Sequence, residues 1–519
     1  MTPAPPRAGL GRLGEVTAPT QLEISIGGHP LSPAVLAAVT EVQVRAALGM
    51  PAQAQLTVRL DAVAGSEPAA PGHGDALRVA VAGHRDPLFA GEVTVVEHEF
   101  RADSGRLLVV RGYDPLHRLR KRQSTRLHED TDLAALATAL VAGTGLSVDA
   151  PAEPLGDVYQ CGVSDLELLL DRAARVGRHP VVEDHTLRLV TLDPPAALLE
   201  VGYGRTLHSA TIERSAEPAY AQVGTTGWDP ATASAGHADA GSSSASPAVS
   251  GPPALAAAGG GGPRVRADDP TRDPAGSGAH TLGALAQAHL DTLTAARVTA
   301  SFTCDGNPAI RAGRSVRVSG LGDDLDGTYL VTSCLHRVDA QGFVTEVDTR
   351  PPTGPRPRAR DQLTLGEVTD VRDPQGCGRV IVRLPAYQPL QTSWAAVLTA
   401  GAGPDKGVVA LPAVGDTVLV ALLAGDPAHP IVLGGLYGNH RHPAAPGDSP
   451  GAEIVLRTAT GQQITVDGTR STLTLTDGQS VLELAPDLLR ISSATDVLVE
   501  AVGKGLRFRA RSVDFEEAP

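Results

Sequence analysis

The sequence predicts a mainly β protein with a few helices, arranged in several domains. The chain has 519 residues, enough for roughly three or four domains. It contains 57 Gly and 41 Pro, which favour turns, loops and strands over long helices. Short stretches in which apolar and polar residues alternate recur along the chain, and they become regular in residues 452–519.

The composition excludes several classes of function. The net charge is −14 and 3% of the residues are aromatic, so the basic patch and the stacking aromatics of a nucleic-acid binder are lacking. We therefore expect no nucleic acid as a partner. The four cysteines, Cys161, Cys304, Cys334 and Cys377, are far apart and form no CxxC pair. Neither a zinc site nor a disulfide framework is expected.

Residues 1–18 are predicted to be a flexible N-terminal segment. They begin with a Pro-rich stretch and lack the apolar core of a signal peptide. The sequence has no run of 18 apolar residues, so it predicts no membrane span. The protein is expected to be made and kept in the cytoplasm of the producing cell, unless a machine carries it out.

A first domain, of the α+β class with small β-barrels, is predicted over residues 19–350. Most of it reads as short strands, but two helices are predicted over 132–142 and 165–176. Ser164 and Glu167 have the spacing of a capping box, which is typical of a helix N-terminus. The first domain is therefore expected to carry a small helical layer.

Residues 231–279 interrupt this pattern. They are almost all Ala, Ser, Gly, Pro, His and Asp, and they cannot bury enough apolar area to offset the loss of chain entropy. We predict a disordered surface insertion within the first domain, because a helix over 281–295 and further strands follow it.

A second domain is predicted over residues 362–440, after a Pro/Arg-rich linker at 351–361. Short strands separated by Gly and Asp-Pro turns are typical of a small closed barrel such as an OB-fold. Residues 441–451 form a second linker. The predicted strands are 364–371, 378–384, 393–398, 407–411, 417–422 and 430–434.

The C-terminal region, 452–519, contains an internal repeat. Each unit is a very short strand with one apolar side, followed by turn formers such as Asp467-Gly468 and Asp477-Gly478. The apolar pairs are Ile454/Leu456, Ile464/Val466, Leu473/Leu475, Leu482/Leu484, Leu489/Ile491, Val497/Val499, Leu506/Phe508 and Val513/Phe515.

One such ribbon cannot cover its own apolar side. Three identical chains wound around a common axis would hide all three apolar sides together and would pair the strand edges. The repeat therefore predicts an intertwined trimeric β-prism, a triple-stranded β-helix that forms a thin, stiff needle. A small antiparallel sandwich made by one chain stays open as an alternative.

Motifs in a consistent order along the chain carry a family resemblance. The most specific is Gly425-Asp426-Pro427-Ala428-His429-Pro430-Ile431-Val432-Leu433-Gly434-Gly435-Leu436-Tyr437. The chain resembles the VgrG-type spike proteins, the fused hub and spike of contractile injection systems and phage tail-like particles. The other matching stretches are 88–93, 111–119, 164–166, 182–184, 227–230, 326–331, His336, 342–346, 366–368 and 412–420.

The resemblance implies a structural, non-enzymatic baseplate protein. Its trimer would plug the inner tube, nucleate tube assembly and pierce the target envelope when the sheath contracts. The implied partners are two further copies, inner-tube and tube-initiator proteins, baseplate wedge proteins, a PAAR-like tip protein and effector cargo. The protein would then belong to a particle assembled in the cytoplasm of a bacterium, with release or delivery to a target envelope left open.

Two other functions are kept as alternatives: a spike with cell-wall hydrolase activity, and a glycan-binding tail fibre or adhesin. Some relatives carry a lysozyme domain between barrel and needle, but here only residues 438–451 separate them. A phage tail, a secretion system and a free injection particle are not distinguished by these residues.

No catalytic residue and no cofactor are predicted. The sequence has no Gly-x-Ser-x-Gly elbow, phosphate loop or His-Glu-x-x-His helix. His440 and His442 are the best metal candidates, because two histidines per chain could form a cage on a threefold axis. Pro443 follows them, and a polar hinge between barrel and needle is the favoured interpretation.

Overall fold

The computed structural model describes residues 21–63, 70–103, 105–229, 234–245, 249, 251, 264–266, 278–353, 362–387, 390–403, 406–438 and 453–516. The chain divides into two compact units, Met1–Gly435 and Leu436–Pro519. The predicted segment 1–18, the predicted linker 441–451, His440 and His442 lie outside the described residues.

Strands dominate the first unit, which confirms the prediction of a mainly β fold. The helices are α1 (Pro33–Ala37), α2 (Leu133–Val141), α3 (Asp165–Arg175) and α4 (Gly278–Ala295). The strands are β1 (Leu22–Ile26), β2 (His29–Pro30), β3 (Val39–Ala47), β4 (Met50–Arg59), β5 (Ala76–Val81), β6 (Phe89–Arg101), β7 (Gly105–Tyr113), β8 (Arg126–Asp132), β9 (Ser147–Asp149), β10 (Pro154–Gln160), β11 (His179–Glu183), β12 (Thr186–Val190), β13 (Leu199–Gly202), β14 (Leu207–Arg214), β15 (Gln222–Asp229), β16 (Ser234–Ala240), β17 (Arg264–Arg266), β18 (Val298–Asp305), β19 (Ser315–Ser319), β20 (Gly327–Leu330), β21 (Ser333–Asp339), β22 (Gly342–Asp348), β23 (Gln362–Asp370), β24 (Ile381–Leu384), β25 (Leu390–Gln391), β26 (Ala396–Val397), β27 (Thr417–Leu422) and β28 (Pro430–Gly435).

An eleven-stranded antiparallel sheet is the frame of the first domain. Its spatial order is β14-β18-β22-β21-β3-β4-β7-β6-β5-β1-β2. The β21–β3 pair joins the beginning of the domain to its end, with Cys334 opposite Ala46. Leu56, Leu77 and Val110 are buried in the cluster beneath one part of this sheet. The sheet thus places segments that are far apart in the sequence next to each other.

A small helical layer lies beside the sheet, as predicted. The predicted helices 132–142 and 165–176 correspond to α2 and α3. The Ser164 hydroxyl accepts the backbone N–H of Glu167, and the Glu167 carboxylate accepts the backbone N–H of Ser164, so the capping box is complete. The buried cluster between these elements consists of Leu116, Leu119, Leu133, Leu136, Ala137, Leu140, Val141, Val158, Leu166, Leu168, Leu169, Ala173, Leu187 and Leu189.

The predicted disorder of 231–279 needs correction where the structure describes this segment. Strand β16 pairs with β15 from Asp229↔Ser234 to Val223↔Ala240, and β17 pairs with β15 on its other side. The segment is also held by α4, because the Asp291 carboxylate accepts hydrogen bonds from Ser243 and Ser244. Side-chain and backbone hydrogen bonds therefore order residues whose composition offers little apolar area.

Residues 362–435 form a six-stranded sheet in the order β25-β24-β23-β27-β28-β26. It encloses a small core of Val, Leu and Ala side chains, among them Val368, Val382 and Val420. The predicted strand 407–411 is wrong, since these residues form no ladder with another described segment. The remaining predicted strands all overlap observed ones or isolated bridges.

The second unit contains one antiparallel sheet in which consecutive strands are neighbours. Asp467 and Asp477 accept backbone N–H groups in the turns, which makes short connections favourable. Residues 453–493 thus pair within one chain, and the intertwining of three chains stays a prediction. The strands are β29 (Glu453–Arg457), β30 (Gln463–Asp467), β31 (Thr472–Thr476), β32 (Ser480–Ala485) and β33 (Leu488–Ser493).

Candidate functional site

The C-terminal sheet aligns its apolar residues in two straight rows. Successive side chains of a strand point to opposite faces, so residues paired in register share a face. The apolar pair of each strand lies opposite the apolar pair of the next one. The rows are Ile454-Val466-Leu473-Leu484-Leu489 and Leu456-Ile464-Leu475-Leu482-Ile491, and we call these ten residues the apolar face.

The opposite face of the same sheet is largely polar. Its central row consists of Val455, Thr465, Thr474, Glu483 and Arg490. The division of the sheet into a polar and an apolar face explains the repeat, because the polar face can contact water and the apolar face is suited to contact protein. Large exposed apolar patches of this kind mark interaction surfaces.

The apolar face has no cover among the described residues of its own unit. Eight of its ten side chains are exposed, and Ile491 reaches 68%. Among residues 453–516, one residue is buried, and it is the polar Asp467. The second unit therefore has no hydrophobic core in a single chain.

Residues 494–516 continue the repeat without pairing. Three further apolar pairs follow β33, but this segment forms no strand with any described part of the chain. Its apolar side chains are exposed: Val497, Val499, Leu506, Phe508, Val513 and Phe515. The first five units and the last three thus differ in how their backbone hydrogen bonds are satisfied.

The hub motifs 88–93 and 111–119 meet where β6 pairs with β7. Glu92 lies opposite Tyr113, and Val93 lies opposite Gly112. A Cβ atom on Gly112 would lie 2.7 Å from the Glu92 carbonyl oxygen, and one on Gly91 would overlap the Tyr113 carbonyl oxygen. Both glycines are needed for close backbone approach, so these motif positions are structural.

Asp114 connects the second motif to the neighbouring strand. It caps the following 3₁₀ helix by accepting the Leu116 N–H (3.0 Å), and it also accepts the Ala52 N–H of β4 (2.8 Å). Burial raises the pKa of the Asp114 carboxyl to about 7, although these two donors lower it. His117 is tied to both sides, because its Nδ1 donates to the Asp114 carbonyl (2.7 Å) and its Nε2 lies 3.0 Å from Glu92.

The specific motif 425–437 lies where the second domain meets the helical layer of the first. Asp426 accepts the Ala428 N–H (3.0 Å), which sets the turn, and its other oxygen lies 3.4 Å from the Arg172 guanidinium of α3. The Ser393 hydroxyl donates to the Ala428 carbonyl (2.9 Å). This motif therefore joins the two domains by polar contacts.

His336 is a buried structural residue. Its Nδ1 lies 2.9 Å from the Thr345 hydroxyl and its Nε2 lies 3.0 Å from the Ile310 carbonyl. Burial lowers the pKa of the His336 imidazole to about 4, and the nearby Arg311 lowers it further. It lies beside a cavity of about 290 Å³, lined by apolar side chains and by several ionisable ones, among them Asp114 and Arg311.

The described residues contain no group of three or more His, Cys, Asp or Glu that could hold a metal ion. None of the four cysteines forms a disulfide. No helix in the described ranges is both long enough and apolar enough to cross a bilayer. His440 and His442 fall outside these ranges, so the favoured interpretation, a polar hinge without metal, stays a prediction.

Two family models match the chain. Residues 364–437 match the Type VI secretion system/phage-baseplate injector OB domain, in agreement with the predicted OB-fold. Residues 19–340, more than half of the chain, match the Alg8 N-terminal domain. The chain belongs to the Alg8 N-terminal domain family.

A comparison with single relatives agrees with the resemblance to VgrG-type spike proteins over a short stretch. The chain is 36% identical over 121 residues to the Type VI secretion system spike protein VgrG3 of Vibrio cholerae serotype O1; the match covers 21% of this chain and 12% of VgrG3.

The fold of the chain is similar to that of a chain in the structures of a Francisella PdpA-VgrG complex. The lidded form gives a TM-score of 0.55 at 8% identity, covering 92% of this chain and 81% of the other. The half-lidded form gives 0.55 at 8% identity, covering 93% and 90%.

Proposed function

We propose that the chain is one protomer of a homotrimeric hub and spike in the baseplate of a contractile injection system. The apolar face of the C-terminal sheet is the observation that carries this proposal. Three sheets arranged around an axis with their apolar faces inward would remove ten apolar side chains per copy from water. The expected result is a β-prism with a polar exterior.

Residues 494–516 support a second step in the same assembly. Their backbone has no partner strand among the described residues, and their apolar pairs continue the repeat of the sheet. Pairing with the other two copies would satisfy these backbone groups and would also cover the apolar side chains. The needle would then consist of three in-chain sheets followed by an intertwined tip.

The function of this trimer is mechanical. Dense strand pairing and an apolar axis resist bending, which is what a needle pushed by a contracting sheath requires. The trimer would plug the distal end of the inner tube, nucleate tube assembly, organise the baseplate and pierce a target envelope. Tube-initiator, wedge and tip proteins, with effector cargo, are the partners that this role requires.

The role needs no catalysis. The geometry at the hub motifs consists of close backbone approaches and satisfied hydrogen bonds, which serve the fold. Release of peptidoglycan fragments by the purified protein should stay at the level of a buffer control. Turnover abolished by a single carboxylate substitution would contradict a purely mechanical role.

Native mass spectrometry of the full chain tests the assembly. We expect a species of three times the 53.3 kDa chain mass that survives mild detergent. A folded monomer without detectable trimer at micromolar concentration would contradict the proposal.

A further inference from the structure

A cavity of about 290 Å³ lies between strands of the large hub sheet and the β11–β12 turn. Four of the stretches that carry the family resemblance, far apart in the sequence, contribute to its wall: 88–93, 111–119, 182–184 and His336. At about 30 Å³ for each water molecule, the cavity has room for roughly ten waters or one small organic molecule. The proposed needle does not use these residues, so the cavity is a separate candidate for function.

The buried part of the wall favours an apolar occupant. Its apolar side chains are at most 8% exposed, and they include Val44, Phe89, Val181 and Ala312. Water held against such side chains lacks hydrogen-bond partners, so an apolar group that displaces it is favoured. The exposed residues Arg78, Asp184 and His185 also belong to the wall. The cavity therefore reaches the protein surface, where a ligand can enter.

Most ionisable side chains of the wall already have partners. The Arg311 guanidinium lies 3.6 Å from the Asp184 carboxylate. The Glu183 carboxylate pairs with Arg314. His336 makes hydrogen bonds through both ring nitrogens. These groups therefore need no ligand to compensate their charge or polarity.

Asp114 is the exception. It is 4% exposed, and among the described residues none forms an ion pair with it. Arg120 acts on it from further away, since its guanidinium lies over the Tyr113 ring, 5.7 Å from the ring centre. The two carboxylate oxygens accept one backbone N–H each, from Ala52 and Leu116, and a carboxylate can accept about four hydrogen bonds. A further donor is therefore accommodated, and a positively charged one would also offset the cost of burying the carboxylate.

The turn that forms one side of the cavity has a strained backbone. Asp184 and His185 both have positive φ (49° and 61°), a conformation that is unfavourable for residues other than Gly. The contact with Arg311 holds Asp184 in this arrangement. The wall is thus defined before any ligand binds, which lowers the ordering cost of binding.

We propose that this cavity binds a small, largely apolar molecule with one primary amine, whose ammonium group becomes the counter-ion of Asp114. The apolar part would displace water from the side chains of Val44 and Phe89, and the ammonium would donate to the free acceptor sites of the carboxylate. A single positive charge matches the single buried carboxylate of the wall that lacks an ion pair. The site lies within the hub and does not depend on the proposed trimer.

Isothermal titration calorimetry of the full chain tests the proposal with three probes of similar size: benzylamine, benzyl alcohol and benzoate. A mildly alkaline buffer keeps the Asp114 carboxyl ionised, since burial raises its pKa to about 7. We expect benzylamine to bind at least about tenfold more tightly than the neutral or the anionic probe, because only the ammonium pairs with a desolvated carboxylate. No saturable binding of benzylamine at millimolar concentration, or equal or tighter binding of either other probe, would overturn the proposal.

Three variants test whether the ligand occupies this cavity. Asp114→Asn keeps the ability to cap the 3₁₀ helix but removes the charge, and we expect it to lower the affinity for benzylamine to that for benzyl alcohol. Asp323→Asn, a matched change at an exposed turn outside the cavity, should bind benzylamine as the native sequence does. Ala312→Leu fills the cavity and should abolish binding, which keeps the test decisive even if Asp114→Asn does not fold. Benzylamine binding that Ala312→Leu or Asp114→Asn leaves unchanged would overturn the site.

Discussion

The two units of this chain differ in whether they bury their apolar side chains. The first unit covers its Val, Leu and Ala side chains in several internal clusters, such as the one around Leu56 and the one around Leu136. The second unit, although its strands are well paired, has one buried residue in its described part, Asp467. Secondary structure alone therefore does not make a folded domain here, because hydrogen-bonded strands still need a covered face.

The difference assigns different roles to similar strands. In the hub, side chains of both faces are matched to a fixed neighbour, so single changes should act locally on folding. In the C-terminal sheet, the proposed neighbour is another copy of the chain, so single changes there should act on assembly.

The largest effect is expected from a charge on the apolar face. Leu456→Asp would bring three carboxylates together in the interior of the prism, where desolvation and repulsion oppose ionisation. We expect the trimer to be lost in native mass spectrometry while the hub keeps its thermal transition. Val455→Asp is the matched control, because it lies on the same strand and faces the polar side.

Two results would contradict this contrast. If Val455→Asp and Leu456→Asp weakened the trimer equally, the two faces would not differ. If Leu456→Asp unfolded the hub, the stability of the hub would depend on the C-terminal sheet.

Substitution of a hub glycine should affect folding of the hub, whereas the charge on the apolar face affects assembly. Gly91→Ala places a Cβ against the Tyr113 carbonyl, so the β6–β7 pair has to separate. We expect a loss of more than about 3 kcal/mol in hub stability, or no folded hub at all. Gly283→Ala in α4 is the control: nothing lies within 4 Å of its Cβ position, and alanine favours the helix. Equal thermal midpoints for the two variants would show that the close approach does not matter.

Local sequence signals were enough to predict several elements of the fold. The helices α2 and α3, the OB-fold and the repeat were predictable, because caps, turn residues and alternation are local signals. The register that aligns Ile454 with Leu489 was not stated in advance, since it depends on the exact length of every turn. Intertwining was predicted for the whole needle, but short turns let the first five strands pair within one chain.

The buried hub histidine should make stability depend on pH. The pKa of His336 falls from 6.5 to about 4 on folding, chiefly through burial, so the native state binds the proton more weakly. Stability is present above pH 6.5 and is lost as the pH falls towards 4, by up to about 3 kcal/mol. The difference in unfolding free energy between the native sequence and His336→Gln should shrink over this range. A difference that stays constant from pH 7 to pH 4 would contradict the buried neutral imidazole.

The smallest effect concerns the capping box of α3. Ser164→Ala removes the acceptor for the Glu167 N–H, and we expect a loss of about 1 kcal/mol in hub stability. Thr138→Ala, an exposed position within α2, should leave stability nearly unchanged. Chemical denaturation measures both, and a cap variant as stable as the control would show that the box contributes nothing.

Other features could not be reached from the sequence. The polar anchoring of residues 234–245 by Asp291 involves a partner about 50 residues away, whereas composition alone indicated disorder. Residues 407–411 have the composition of a strand, but they form no ladder with another described segment. Both misreadings arise where non-local contacts, or their absence, decide the outcome.

Hydrogen exchange of the intact chain at two concentrations tests the central claim most directly. We predict that amides of β3 and β4 exchange slowly in trimer and in diluted monomer alike, because the hub core lies within one chain. Amides of β30 to β32 should be protected in the trimer and lose protection when dilution dissociates it. Persistent protection of β30 to β32 in the monomer would contradict the claim that the C-terminal sheet depends on other copies to cover its apolar face.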